Sequence, residues 1–395
     1  MKFLCVLGRQ PAISLAELES LYGSDAVSRL HDDIALVQGQ PDHDRLGGTL
    51  KVAQLYTVIP ECSWNELEAN LSQTLPLQLA DMPKRKLQLG FSVHGMHVSL
   101  KRLQATALQF KKVLRQQGIS LRITPNKHLS LSTAQVYHNQ LTAEHGAEII
   151  ICRSQDGQIY IGQTRSVQDI DAYSARDQQR PKRDARVGML PPKLAQIIVN
   201  LAAGKRQAAH SETEPPVALT VLDPFCGTGV ILQEAYRMGY LLYGTDHEPR
   251  MIDYSRENLA WLAGGAPQHL LLEQADATDH HWSPTPDMIA AEAYLGRPFG
   301  HTPDRDTLKT VMQDVNTISE KFLRNIAKQT APGFRMCVAF PAWRMQQTFW
   351  RLPVLASLEK LGYNRQSFVH AKPDELIYHR DNQIVGRELT VLTRK

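Results

Sequence analysis

The residues best placed to do chemistry lie in one stretch, Ala218–Asp246, ALTVLDPFCGTGVILQEAYRMGYLLYGTD. Leu219, Val221 and Leu222 form an apolar run that ends in Asp223. Gly227 and Gly229 punctuate the loop after it, helix formers follow, and a second apolar run, Leu241–Tyr243, ends in Gly-Thr-Asp246. Strand, glycine turn, helix, then a strand with an acid at its tip describes a nucleotide-type pocket at the carboxyl edge of a parallel sheet. The glycines let the backbone come close to a ligand, and Asp246 has the lone pairs to accept from two ribose hydroxyls.

The details exclude the commoner ligands of such a loop. G-x-G-x-x-G needs a third glycine where Leu232 stands, and no Lys-Ser/Thr pair follows the loop to cradle a triphosphate. A carboxylate at the strand tip, Asp223, suits a cation better than a pyrophosphate. DPFCGTG resembles motif I of class I S-adenosylmethionine-dependent methyltransferases, in the D-P-x-C-G-T-G form found in RNA-modifying ones. The resemblance implies S-adenosyl-L-methionine as cofactor, with Asp223, Phe225, Cys226, Gly227, Thr228 and Gly229 as its floor. Asp246 is then the ribose acid and His247 its neighbour. Asp276, with Ala277 beside it, follows the third strand and is placed for the adenine amino group. Cys226 reads as a small buried hydrophobe, not a nucleophile.

The end of the fourth strand reads Asp287-Met-Ile-Ala-Ala-Glu292-Ala-Tyr294-Leu-Gly296. Methyltransferases acting on exocyclic amines usually carry [DN]-P-P-[FYW] there, an acceptor that orients the amine and an aromatic that stacks on the flipped base. This chain keeps an acid, Glu292, lacks both prolines, and has Tyr294 one residue early. In one reading Glu292 and Tyr294 are the catalytic pair, with Phe299 an alternative stacking ring. In the other the site has diverged to another nucleophile or to RNA binding alone. None of the 15 histidines has metal-ligand spacing with an acid or cysteine, so no metal is expected.

From 218 onward strands and helices alternate, which predicts an α/β, doubly wound, Rossmann-like sheet. The strands are LTVL, LLYGT, HLLLE, MIAAE, RMCVAF, RQSFVHA and ELTVLT, with helices near 229–238, 248–262, 305–330 and 347–361. The last two strands suggest an antiparallel pair at one edge. Upstream, Ser14 and Glu17 have capping-box spacing before Leu15, Leu18 and Leu21, and Leu100–Gln117 is a helix by the spacing of Leu103, Ala107, Phe110 and Leu114. QVYHNQL, EIIICR and QIYIGQT read as strands.

With 395 residues, 43% hydrophobic and 21% charged, the chain has room for two or three packed domains and is not disordered. Five scattered cysteines without a C-x-x-C pair fit a reducing cytoplasm. The short apolar run Phe3–Leu7 is neither a secretory leader nor a membrane span. Net charge is only +4, but its distribution is lopsided: ten Lys or Arg and no acid fall between Asp81 and Glu144, Lys84 and Arg85 among them. Lys101, Arg102, Lys111, Lys112 and Arg115 of this set lie on the 100–117 helix, a phosphate-contacting face or a solvated one. From Arg176 to Lys193 six basic residues meet two acids. This connector, with Arg176, Arg180, Lys182 and Arg183, is read as a basic strap facing the pocket, or else a linker.

Across nearly its whole length the chain resembles the THUMP-domain tRNA guanine-N2-methyltransferase family, through LGRQPAISLAELESL, SLSTAQVYHNQL, EIIICRSQDGQIYIGQTRSVQD, GMLPPKLAQIIVNLA and DPFCGTG. The resemblance implies a ferredoxin-like α+β unit at 1–60, a THUMP-like RNA-binding domain at 61–165, a basic connector and leading helix at 166–206, and a methyltransferase domain at 207–395. It implies tRNA as partner and methyl transfer to a guanosine N2. A catalytically silent RNA-binding protein of the same fold and a DNA amino-methyltransferase remain as rivals, and a small activating subunit or self-association is left open.

Overall fold

A computed structural model describes the whole chain except residues 80, 81, 83–85, 185–189, 208–218, 347 and 382. Lys84, Arg85 and the loop expected at 211–216 therefore lie outside the described residues. Contacts divide the chain into two units, one of residues 1–11, 24–44 and 49–170, the other of residues 12–23, 45–48 and 171–395.

The first unit is built on β1 (Lys2–Leu7), β2 (Val27–His31), β3 (Ile34–Gln38), β4 (Thr49–Ile59), β5 (Leu87–His94), β6 (Leu121–Ile123), β7 (Gly146–Arg153) and β8 (Ile159–Val167). They form one sheet in the order β2-β3-β1-β4-β8-β7-β5-β6. The boundary expected at residue 60 does not separate two sheets, because β4 runs antiparallel along β8 from Lys51 opposite Val167 to Ile59 opposite Ile159. The helices here are α2 (Trp64–Leu79), α3 (Leu100–Gln116) and α4 (Thr133–His138). In α3 the expected residues Leu103, Ala107, Phe110 and Leu114 are buried, and Ser99 caps the helix by accepting from the Arg102 backbone N–H at 3.2 Å. QVYHNQL is not a strand. It falls largely in α4, because Ser132 and Gln135 cap each other reciprocally at 3.1–3.2 Å, and a local cap outweighs apolar alternation.

The second unit holds α1 (Pro11–Tyr22), α5 (Ile170–Gln178), α6 (Pro192–Ala203), α7 (Val230–Arg237), α8 (Pro249–Ala263) and α9 (Arg305–Gln329). Its strands are β9 (Thr220–Asp223), β10 (Leu241–Asp246), β11 (Leu270–Gln274), β12 (Met288–Glu292), β13 (Arg335–Met345), β14 (Thr348–Arg351), β15 (Tyr363–Arg365), β16 (Ile377–Tyr378) and β17 (Val385–Arg394). The sheet runs β11-β10-β9-β12-β13-β17-β15, with β14 on β13 and β16 on β17. The first five strands of that order are parallel, and β17 is antiparallel to both neighbours.

Two expectations fail in this unit. The helix expected at 347–361 is β14 followed by two tight turns. Trp350 pairs with Trp343 across a hairpin, and Pro353, with its fixed φ, opens the first turn. RQSFVHA contributes to a strand only at Arg365, since the backbone N–H groups of Val369 and His370 donate to the Glu19 carboxylate at 2.8–3.0 Å instead of to a ladder.

Glu19 belongs to α1, which is bound to this unit by four polar anchors, Glu19 itself, Ser20, Glu17 and Ser14. Ser20 accepts from Arg335 at 2.8 Å, and Glu17, fully buried, accepts from Gly47, Gly48 and Asn200 at 2.7–3.0 Å. Ser14 is not an N-cap. The helix starts earlier, at Pro11, and the Ser14 hydroxyl donates to the Gly48 carbonyl at 2.7 Å. A Cβ on Gly47 would lie 2.2 Å from the Lys193 carbonyl oxygen, so only glycine lets this loop approach α6 so closely. Ile13 and Ala16 join Leu194, Ile198 and Leu201 of α6 in one apolar cluster.

Candidate functional site

At the carboxyl ends of β9, β10 and β12 lies a cavity of about 640 Å³. Eleven of the twelve predicted cofactor and catalytic residues line it: Asp223, Phe225, Cys226, Gly227, Thr228, Asp246, His247, Asp276, Ala277, Glu292 and Tyr294. The twelfth, Gly229, shapes the loop from behind. It sits at φ +77° at the start of α7, and a Cβ there would meet the Ser255 hydroxyl at 2.9 Å. Both the left-handed backbone and the close approach demand glycine.

Backbone hydrogen bonds and two helix side chains hold the loop. The Cys226 N–H donates to the Thr245 carbonyl at 2.9 Å and that of Gly229 to the Cys226 carbonyl at 2.7 Å. Ser255 donates to the Gly227 carbonyl at 2.8 Å, and Asn258 to that of Thr228 at 2.8 Å. Asn258 also bonds both the carbonyl and the N–H of Lys182, at 2.9 and 2.8 Å. Sequence reasoning missed this pair. Its one signal is the spacing of three, which puts two small polar side chains on one face of a helix.

The cavity is acidic. Burial pushes the Asp223 carboxyl well above its ordinary range, against the Phe225 N–H it accepts at 3.2 Å, and the Asp246 and Glu292 charges add to the rise. Burial also raises Asp246, opposed by the N–H groups of Glu248 and Gly227. Asp276 goes the other way, because the Thr278 backbone N–H donates to it at 2.9 Å. The Cys226 thiol, raised far by burial, is an inert core group. Phe225 packs edge-on against Phe322 at 5.1 Å, His247 is exposed, and Tyr294 is exposed at the mouth.

Glu292 is not a free carboxylate. Its Oε1 accepts from Arg387 Nε at 2.8 Å, in a pair whose side chains are 16% and 6% exposed. Arg387 carries no motif signal and was not foreseen. Among the described residues no group of three or more His, Cys, Asp or Glu could hold a metal ion, and no helix is long and apolar enough to cross a membrane.

The predicted RNA contacts divide. Lys101, Arg102, Lys112 and Arg115 are exposed on α3 and Lys111 is half-buried; Arg102 also pairs with Glu68. In the connector, Lys182 reaches Glu257 at 3.2 Å, Arg183 is exposed, and Asp184 pairs with Arg250 at 3.0 Å. Two expectations are corrected. Arg176 is buried in an ion pair with Glu234 at 2.7 Å and lies over the Tyr173 ring, so it serves packing. Arg180 is 3% exposed, its guanidinium nitrogens have no hydrogen-bond partner among the described residues, and it offers no outward charge.

The strand order, the antiparallel β17 inserted beside β13, and the glycine loop after β9 define a Rossmann-like class I methyltransferase fold. The structure is similar over 100% of both chains to the crystal structure of TrmN from Thermus thermophilus, with a TM-score of 0.51 and 16% sequence identity. Two tRNA (guanine(10)-N2)-dimethyltransferases are similar in sequence. That of Methanothermobacter thermautotrophicus is 31% identical over 157 residues, and that of Pyrococcus abyssi 27% identical over 156. The match spans 39% of this chain and 39% of the length of each of these curated relatives. No protein-family profile matches the chain.

Proposed function

We propose that this protein is an S-adenosylmethionine-dependent tRNA methyltransferase that acts on the exocyclic N2 of a guanosine. The observation that carries the reading is the acidic, glycine-floored cavity in which Asp223, Asp246, Asp276 and Glu292 converge. Several carboxylates with Arg297 as the one Lys or Arg of the lining among the described residues fit a sulfonium cation and an amine, and repel a pyrophosphate. The names of the two sequence relatives support tRNA and guanine N2 as the target.

Gly227 and Thr228 would hold the cofactor by backbone, Asp246 its ribose and Asp276 its adenine amine. Bound there, it supplies an electrophilic methyl on a sulfonium. Glu292 accepts a hydrogen bond from the target amine and turns its lone pair inward, and Tyr294 stacks on the flipped base. The sheet-and-helix unit of residues 1–11, 24–44 and 49–170 is the RNA-gripping, THUMP-like part, with the basic stripe of α3 on phosphates. Lys182 and Arg183 of the second unit would add phosphate contacts of their own. A reducing cytoplasm is the compartment that fits five free cysteines and a tRNA substrate.

Incubation with unmodified tRNA and labelled cofactor, followed by nucleoside mass spectrometry, tests the proposal. Label in N2-methylguanosine or its dimethyl form is the expected result. Label in another nucleoside replaces the target base, and cofactor binding without transfer to any RNA leaves the silent RNA-binding reading.

A further inference from the structure

We infer that Arg387 is a positioning residue for the acid of this site: it anchors Glu292 by one carboxylate oxygen and leaves the other for the substrate amine. The inference rests on the function proposed above.

Glu292 lines the cavity and Arg387 does not, so the guanidinium acts on the site only through the carboxylate it holds. Register explains how it reaches. Glu292 stands opposite Ala339 on β13, and Arg387 on β17 stands opposite Pro341, two residues along the same face of β13. The small side chain of Ala339 leaves a lane over the intervening strand, which a long arginine can span. Arg387 Nε meets Oε1 alone, and Oε2 takes no hydrogen bond among the described residues.

Sequence and charge make such an anchor necessary. Glutamate has one more rotatable bond than the aspartate usual at this place, and Ala293 stands where a proline would stiffen the turn, so an unheld carboxylate would sample several rotamers. Glu292 also lines the cavity with Asp223 and Asp246, and like charges repel. The buried guanidinium cancels that repulsion and fixes one oxygen by a charge-assisted bond. The next residue gives a contrast. Glu388 faces the other side of the sheet, pairs with Arg365 at 2.8 Å and Arg351 at 3.4 Å, and does not line this cavity.

The test compares the full-length wild type with Arg387→Met, Arg387→Lys and Glu292→Gln. In arginine-labelled protein the Arg387 Nε–H signal, identified by its absence from Arg387→Lys, should resist exchange with water and exchange at least about tenfold faster in Glu292→Gln. Arg387→Met should lower kcat for tRNA methylation by about 10- to 100-fold, with KM for tRNA and Kd for cofactor within about twofold of wild type; Arg387→Lys should recover part of the loss. Retained cofactor affinity shows that the variants are folded. An exchange rate indifferent to Glu292→Gln, or full kcat in Arg387→Met beside an active wild type, overturns the inference and leaves the proposed function standing. A wild type that methylates no RNA removes the function, and the inference with it.

Discussion

Asp246 accepts the backbone N–H of Gly227 at 2.9 Å with one carboxylate oxygen and that of Glu248 at 3.0 Å with the other. The acid that should bind a ribose is thus also the latch of the glycine loop. Each oxygen keeps a second lone pair for a hydroxyl. Asp246→Ala should therefore lower cofactor affinity by about 100-fold or more, losing loop order as well as direct contacts, with tRNA affinity within about twofold. Calorimetric titration of cofactor and filter binding of tRNA check it, and parallel loss of both affinities would refute separate roles for the two units.

The exposed face of α3 gives the second expectation. Lys101, Leu108, Lys112 and Arg115 recur at helical spacing on one side, all exposed. Lys112→Glu with Arg115→Glu should weaken tRNA binding and reduce the slope of log affinity against log salt by roughly one per lost contact. An unchanged slope would make the stripe a solvated surface.

Arg176 should behave oppositely. Its partner Glu234 is 1% exposed and would keep only Arg237, at 3.3 Å on its other oxygen, so Arg176→Ala leaves a buried carboxylate half-compensated and should destabilise the fold by about 1–3 kcal/mol. The remaining folded protein should bind tRNA with an unchanged salt slope. Thermal melts and salt titrations separate the two effects.

Glu17 predicts a pH dependence. Burial raises its carboxyl from 4.5 to about 7, against the N–H groups of Asn200, Gly48 and Gly47. Because the folded value lies above the unfolded one, the group's stabilisation is fully present below about pH 4.5 and is lost as pH rises through about 7. The loss is on the order of 3 kcal/mol. Glu17→Gln should flatten the fall in melting midpoint between about pH 5 and 8 relative to wild type; parallel curves would place the titrating group elsewhere.

What the sequence made legible was local. Motif I can be read because Asp223, Gly227, Gly229 and Asp246 fall within one strand-turn-helix-strand run, and Asp223, Gly227 and Asp246 line one cavity. Arg387 was illegible because it meets Glu292 across an intervening strand, 95 residues away, and an arginine in a β-strand has no spacing to betray its partner. Arg176 and Arg180 misled for the converse reason, since basic composition does not say which guanidinium is buried. The capping-box reading failed at Ser14 because the partners of Ser14 and Glu17 lie 30 or more residues away, at Gly47, Gly48 and Asn200.

The membership of α1 in the second unit has a consequence for how the protein is made. Residues 12–23 leave the ribosome some 180 residues before α6, their partner in the apolar cluster. At ordinary elongation rates the helix waits on the order of 10–40 s for its neighbour. During that interval Glu17 stays in water, ionised and without its three donors, while β1 to β8 can pair into a complete sheet. The methyltransferase fold therefore closes late and around its own first-made piece. For the same reason no single cut isolates it: a fragment starting at residue 207 loses α1, the 45–48 loop and α6 together, and with them one wall of its core.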